Sequence, residues 1–559
     1  GSSSCAVLVT TRNRTSDLAS TRFFDLDVLE DTEALALFSR IVGEQRAAAE
    51  PDATAEVLVA CAGLPLAIRI CAARLAARRG WKIATLAGRL RNTHRRLDEL
   101  KAGDLAVRAS FQVSYESLKS AGRGTSPARA FRLLGLWQGT SISLPAAAAL
   151  IGEPEDDVAD ALEALVDINL LESPAPDRYR FHDLLRVYAT ERAEAGEPEA
   201  AREEALARLF GWYLSTAEAA ADVVSPQRYR VRQEAAGPDY PPLSFTGLED
   251  ALAWYDDERA NIVSATRQAA AVGLHEVAWR MPPTLTPVFY RWSNWADCVT
   301  TNRVGLTSAR LAGNRAGEAW VLNQLGFALA RLRDEDAFTC LEQALTIRRD
   351  LGDTRGQAQT AIGLAEGYLN VHGPGEDALR YMQHAVDLLA PAGATSMRAV
   401  ALNNLGEVYR GLGDWDAAKE CYIEARDICR QIGGGHVEGH ALNNLGDVYR
   451  LQRRLGDAVA SYEEARRKHR ASGALFGEAT TLKHLGEVHA ETGEPGNART
   501  SLAAALRIFE QIGDQVEVAE TSALLISLGT EQARGDPPAL AAARCATSTH
   551  WGDLVACHR

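Results

Sequence analysis

Nine cysteines are scattered through the 559 residues without one C-x-x-C pair, so neither a disulfide framework nor a zinc module is laid out in the chain. No apolar run reaches about 18 residues and no cleavable leader pattern occurs, which leaves membrane insertion and secretion without a signal. A reduced, cytoplasmic setting is the expectation. Positive charge is the minority sign: 60 Lys and Arg face 74 Asp and Glu, for a formal charge of −14, and such a balance argues against a face that grips a phosphate backbone. There is no G-x-x-x-x-G-K-[ST] stretch and no apolar strand ending in paired acids, so the parts that cradle nucleotide phosphates and hold Mg²⁺ are missing from these residues. No Ser/His/Asp or Cys/His pairing marks a nucleophile. His436 and His440 flank Glu438, but H-E-x-x-H needs its Glu beside the first His and a third ligand elsewhere, so a metal site is not expected.

What the chain does have is repetition. Gly406, Gly446 and Gly486 are spaced by 40 residues, as are Ala418, Ala458 and Ala498, and Gly433, Gly473 and Gly513. A weaker copy runs upstream through Gly326, Ala337, Ala344 and Gly352, then Gly363, Ala378, Ala385 and Gly393. Each unit supplies one helix with a Leu-Gly pair and a second with small residues seven apart (Ala418/Ala425, Ala458/Ala465), which lets neighbouring helices approach and share a core. The pattern L-G-x-x-Y, then Ala, then Ala resembles tetratricopeptide repeats over about Glu318 to Gly529.

One face of those repeats is a candidate partner-binding groove. Asn403, Glu407 and Arg410 fall at i, i+4 and i+7 of a first helix, Asn443, Asp447 and Arg450 repeat them, and Thr480, Lys483 and Glu487 come next, with His440 just ahead of Asn443. Asn side chains there can hold an extended peptide backbone, and alternating Arg and acid can select its charges. A solvated face of i,i+3 and i,i+4 charge pairs is the equal alternative.

Ahead of the repeats the chain divides further. Residues 1–24 contain the apolar run Cys5 to Val9 ending in Thr10-Thr11-Arg12, read as a buried parallel strand whose carboxyl end, where ligands sit in α/β sheets, carries Arg12. Residues 25–104 read as a helical subdomain: a helix from an N-cap Asp31 to Ala49 with apolar Leu35, Leu37, Phe38, Ile41 and Val42, then helices at 53–62 and 66–79 broken by Gly63-Leu64-Pro65. Residues 105–198 run helix, helix, helix, then short strands at Leu170–Glu172 and Arg178–Phe181, the plan of a winged helix. Its segment Glu155–Glu172 carries seven acids and no Lys or Arg, which opposes entry into a DNA groove. Residues 199–315 read as an irregular helical domain with a loop at Val224–Ser244 and with Trp212, Trp254, Trp279, Trp292 and Trp295 in its core. Residues 316–530 are the repeats, and 531–559 read as a disordered tail.

Thr10-Thr11-Arg12, Gly63-Leu64-Pro65-Leu66-Ala67 and Phe181-His182-Asp183, in that order, resemble the nucleotide-binding module of NB-ARC signal-transduction NTPases (the STAND class), specifically the AfsR-type bacterial regulators that continue into tetratricopeptide repeats. The resemblance implies a mainly α fold: the end of an α/β nucleotide-binding domain, a helical subdomain, a winged helix and an α-solenoid. It implies that Arg12 meets the γ-phosphate, that Pro65 packs on adenine, that His182 donates to the β-phosphate of ADP, and that Thr11, Gly63 and Leu64 belong to the same nucleotide site. The cofactor implied is ADP or ATP, with Mg²⁺ and a slow ATPase in a complete protein whose phosphate-binding loop would precede Gly1. These residues alone are expected neither to catalyse nor to bind nucleotide tightly. The implied output is transcription control of secondary metabolism through a DNA-binding domain absent here, with a peptide, protein or small-molecule ligand on the repeats and a nucleotide-driven homo-oligomer. The alternative is a protein-interaction scaffold with vestigial nucleotide elements.

Overall fold

The computed structural model describes residues 28–91, 100–102, 105–118, 125–224, 240–292, 295–393 and 395–534. Thr11, Arg12, the strand expected to carry them and the tail from 535 lie outside the described residues. Twenty-five α-helices and five short strands make up the described chain, a mainly α protein. Two compact units divide it, one comprising residues 1–220 and 234–281, the other residues 221–233 and 282–559. The boundary between the units falls within the segment 199–315.

The first unit begins with α1 (Asp31–Val42), α2 (Glu44–Ala49), α3 (Pro51–Cys61), α4 (Pro65–Ala77) and α5 (Ile83–Leu90). The single helix expected from Asp31 to Ala49 is broken at Gly43, where φ is 104°. Its N-cap is Glu30, not Asp31: the Glu30 N–H reaches the Glu33 carboxylate at 3.2 Å in a capping box. Ala34, Phe38 and Val42 face the core, while Leu35 is exposed. Pro65 opens α4 at a position where a missing N–H is harmless.

A short hairpin, β1 (Lys101–Ala102) with β2 (Leu105–Ala106), leads to α6 (Val107–Ser117) and α7 (Pro127–Leu134). Next come β3 (Ile142–Ser143), α8 (Leu144–Ile151), α9 (Glu155–Asp167), β4 (Glu172–Ala175), β5 (Arg178–Arg180) and α10 (Asp183–Gly196). The strands pair in the order β3-β5-β4, all antiparallel. The first expected strand starts at Glu172, later than the sequence suggested, and takes in Pro174; an edge strand tolerates a residue that cannot donate. Two-residue β3 carries no period of its own, and sequence reading missed it. Then follow α11 (Glu199–Val224) and α12 (Leu248–Ala271), with Trp212 1% exposed and Trp254 half-buried.

After α13 (His275–Trp292), whose Trp279 is fully buried, and α14 (Trp295–Leu311), five helical hairpins follow: α15/α16 (Arg315–Arg331, Asp336–Asp350), α17/α18 (Thr354–His372, Glu376–Leu389), α19/α20 (Ser396–Leu412, Trp415–Ile432), α21/α22 (Gly435–Leu451, Leu455–Ala471) and α23/α24 (Leu475–Glu491, Pro495–Ile512). Helix α25 (Gln515–Arg534) closes the array. The 40-residue period reappears as repeated packing: Ala418, Tyr422, Leu445 and Val448 form one cluster, and Ala458, Tyr462, Leu485 and Val488 the next. The Leu-Gly glycines have a physical reason, since a Cβ on Gly406 or Gly446 would lie 2.5 or 2.6 Å from the ring of Tyr422 or Tyr462. First helices of successive hairpins touch one another, α15 on α17 and α19 on α21, while no two successive second helices pack comparably. The first helices therefore form the inner wall of the array.

Candidate functional site

In the first unit the fold joins two of the three motifs singled out in the sequence. Helix α3 ends on Ala62, which takes the left-handed conformation (φ 49°, ψ 41°), unusual for a residue with a Cβ. Gly63 follows at φ 69°, and a Cβ there would lie 2.8 Å from the Leu29 carbonyl, so the position suits only glycine. The Leu29 N–H donates to the Gly63 carbonyl at 2.9 Å, tying this turn to the segment before α1. His182 is the N-cap of α10: its Nδ1 accepts from the Leu184 N–H at 3.4 Å, and its Nε2 lies 2.9 Å from the Ala62 carbonyl oxygen. A carbonyl only accepts and a backbone N–H only donates, so the two contacts select the neutral imidazole with its proton on Nε2. Leu64 is half-buried and Pro65 exposed beside this contact, leaving the ring of Pro65 open to a planar group. His182, Gly63, Leu64 and Pro65 are thus brought together; Thr11 and Arg12 lie outside the described residues.

Several neighbours hold His182 in place. Phe181 packs edge-on against Phe131 at 5.3 Å, and Thr190 donates to the Gly135 carbonyl at 2.6 Å, where α7 and α10 meet closely. Strand β5, which leads into His182, is anchored through Arg178: its Nη2 reaches the Glu258 carboxylate on α12 at 2.7 Å.

In the second unit the candidate groove residues form a ladder between first helices. The Asn444 amide donates to Asn403 at 3.1 Å, Asn443 meets His484 Nδ1 at 3.3 Å, and the Asn404 amide donates to Glu366 at 3.3 Å. Arg410 pairs with Glu407 at 2.6 Å, Arg450 with Glu487 and with Glu491, and Lys483 with Glu517 and Glu520 at 2.7 and 2.8 Å. His440 packs its ring on that of His469 at 4.8 Å. Asn403 and Asn443 are only 1% and 7% exposed, so they join repeats and are not displayed on an open face. Asn444, Asp447, Arg410, Arg450, His484 and Glu487 are the half-buried members that line the inner wall.

This wall is electrostatically tuned. Burial works against the charged forms of Asp447 and His484, yet their 3.2 Å contact outweighs it, holding the Asp447 carboxyl well below the usual range and the His484 imidazole above its own. Tyr462 also donates to Asp447, at 2.6 Å. Burial pushes the Glu366 carboxyl up to about 7, against a smaller opposing pull from Arg331.

Sequence reading missed His484 and Glu366. It also missed a clamp that recurs at repeat junctions, where Arg310, Arg430 and Arg470 each reach the Glu eight residues on (Glu318, Glu438, Glu478) at 2.9 Å. The signals were present: His484 stands where the two preceding repeats have Asn404 and Asn444, and R-x₇-E recurs at the 40-residue period. Glu438 is further engaged by Lys468 at 2.7 Å, and among the described residues no three or more His, Cys, Asp or Glu are gathered so as to hold a metal ion.

A stacked array of helical hairpins with a Leu-Gly first helix defines a tetratricopeptide-repeat protein, and residues 397–471 match the tetratricopeptide repeat family. The chain is homologous to the regulatory protein AfsR: that of Streptomyces griseus is 40% identical over 419 residues, covering 74% of this chain and 42% of that protein. AfsR of Streptomyces coelicolor is 49% identical over 274 residues, covering 48% of this chain and 27% of that protein. The chain thus spans less than half the length of either relative. Among solved structures, a signal transduction ATPase with numerous domains (STAND) protein with a tetratricopeptide repeat sensor, from Pyrococcus horikoshii, matches with a TM-score of 0.40 at 13% identity, covering 91% of this chain and 70% of that one.

Proposed function

We propose that this chain is the switching and sensing portion of a nucleotide-controlled transcription regulator in the cytoplasm. The observation that carries the reading is the 2.9 Å contact of His182 Nε2 with the Ala62 carbonyl, immediately beside Gly63-Leu64-Pro65. An imidazole with its proton on Nε2 is a donor that can serve either a carbonyl or a phosphate oxygen. His182, the exposed ring of Pro65 and the Gly63-Leu64 backbone are the groups of this chain that would meet an adenine nucleotide. With ADP held, His182 would keep the helical and winged modules closed; exchange for ATP, together with a ligand on the repeats, would release them. The ligand class is a peptide or protein segment laid along the inner wall of the first helices, where Arg410, Asp447, Arg450 and Glu487 offer both signs of charge. Homology to AfsR supports the regulatory reading.

The test is a calorimetric titration with Mg·ADP of a longer form that includes a phosphate-binding loop, alongside its His182→Ala variant. Loss of at least about tenfold in ADP affinity, the worth of one charge-assisted hydrogen bond, is expected. Equal affinity in the two proteins would remove the latch and leave a repeat scaffold.

A further inference from the structure

Helix α12 carries a stripe of buried polar side chains that a helix merely packed on a core would not need. Glu258, Asn261 and Gln268 are 0%, 1% and 7% exposed. All three reach elements that hold His182. The Glu258 carboxylate accepts from Arg178 of β5 at 2.7 Å, from the Tyr213 hydroxyl at 3.1 Å and from Asn261 at 2.7 Å. Arg178 also donates to Ser141 at 3.0 Å, and Thr140 lies 3.3 Å from Asn261. Gln268 donates to the Leu136 carbonyl at 2.6 Å and accepts from the Gln138 N–H at 3.3 Å.

Buried polar networks add less net stability than apolar packing of the same volume, but they fix one alignment, because a shifted register leaves charges and amides unsatisfied. What they align here is the loop between α7 and β3, and strand β5. Strand β5 ends at Arg180, two residues before His182, and is itself paired to β3 through Tyr179 and Ile142. A displacement of Arg178 would therefore pass along the three residues Tyr179, Arg180 and Phe181 into the imidazole. From α12 the chain runs through α13, whose first residues still belong to the first unit, and α14 into the repeats, so α12 is the last helix lying wholly in the first unit before the repeats.

We propose that Glu258, acting through Arg178, is a positioning residue for His182, and that the seating of α12 decides whether the His182–Ala62 contact is made. The placement stands on geometry alone; its regulatory meaning rests on the latch reading above.

The test uses the whole chain with ¹³C,¹⁵N-histidine and follows the His182 ring, identified by its disappearance in His182→Gln. In the wild type the ring should show the Nε2–H tautomer, and the Leu184 amide should be protected from exchange. Glu258→Gln should move the ring toward a tautomer mixture and raise Leu184 exchange at least about fivefold. Glu258→Asp, which keeps the charge, should restore most of the wild-type signal and stands in if Glu258→Gln does not fold. Arg129→Gln, which removes a more exposed ion pair to Glu153 at 2.9 Å in the same module, should leave the ring unchanged. A wild-type ring in Glu258→Gln, or an equal shift in Arg129→Gln, would overturn the proposal. Since no nucleotide is present, these readings are independent of whether ADP binds.

Discussion

The His182 imidazole and the Ala62 carbonyl meet at 2.9 Å across 120 residues of sequence, joining the cap of α10 to the left-handed end of α3. Two hydrogen bonds thereby depend on one side chain. His182→Ala should cost the first unit about 1–2 kcal/mol, the sum of a lost cap and a lost side-chain bond. Hydrogen exchange at Leu184 and at the start of α4 is the measurement, and unchanged exchange would show that the contact is not held in solution.

Gly446 faces Tyr462 with no space for a methyl group, as its added Cβ would sit 2.6 Å from the ring. Gly446→Ala should destabilise the repeats by about 1–3 kcal/mol through overpacking, and Tyr462→Leu in the same molecule should recover part of it. A double-mutant cycle by urea unfolding reads the coupling, and additive effects would contradict the packing described.

The pH dependence of the repeats follows from His484, Asp447 and Glu366. The His484 pKa is raised, so its contribution is complete below about 6.5 and is lost as pH climbs through the folded value. Glu366, at about 7 against an ordinary 4.5, favours its neutral form, and stability falls as pH rises across that window. Asp447 is depressed, so its contribution is present above the ordinary aspartate value of about 3.9 and disappears on acidification. Residues 354–491 should accordingly be most protected near mildly acidic pH and lose protection toward pH 8. Glu366→Gln combined with His484→Asn should flatten the profile, with exchange mass spectrometry at stepped pH as the readout.

Asn403→Ala would remove a buried bridge between α19 and α21, at a cost of about 1–2 kcal/mol. Any loss of partner binding in that variant has to be judged against this, whereas Arg450→Ala tests the half-buried wall directly. Thermal unfolding separates the two: Asn403→Ala should lower the midpoint more.

At the junctions, Glu438→Ala should remove the buried carboxylate shared by Arg430 and Lys468, leaving Arg430 only its pair with Glu464, and cost about 1–2 kcal/mol, while Arg430→Ala, on a more exposed partner, should cost less than 1. Equal losses would mean that burial of Glu438 does not matter.

The repeats were legible from sequence because a solenoid's contacts are local: each hairpin packs on its neighbours, so period, glycines and small residues print directly on the chain. Helix starts such as Pro65 were legible for the same reason. In the sequence, Gly63, Leu64, Pro65 and His182 were joined only by the family resemblance; the direct contact of His182 with Ala62 could not be read, because Ala62 gives no sign that its backbone takes a left-handed φ. Nothing in the sequence around Glu258 marks it; only the tertiary fold buries it against Arg178, eighty positions earlier. Asn403 and Asn443 carried the right chemistry for a groove, but the close approach of successive first helices turned them inward. Local periodicity thus determined the architecture, while burial and long-range pairing decided which polar groups hold the fold and which stay partly exposed on the inner wall.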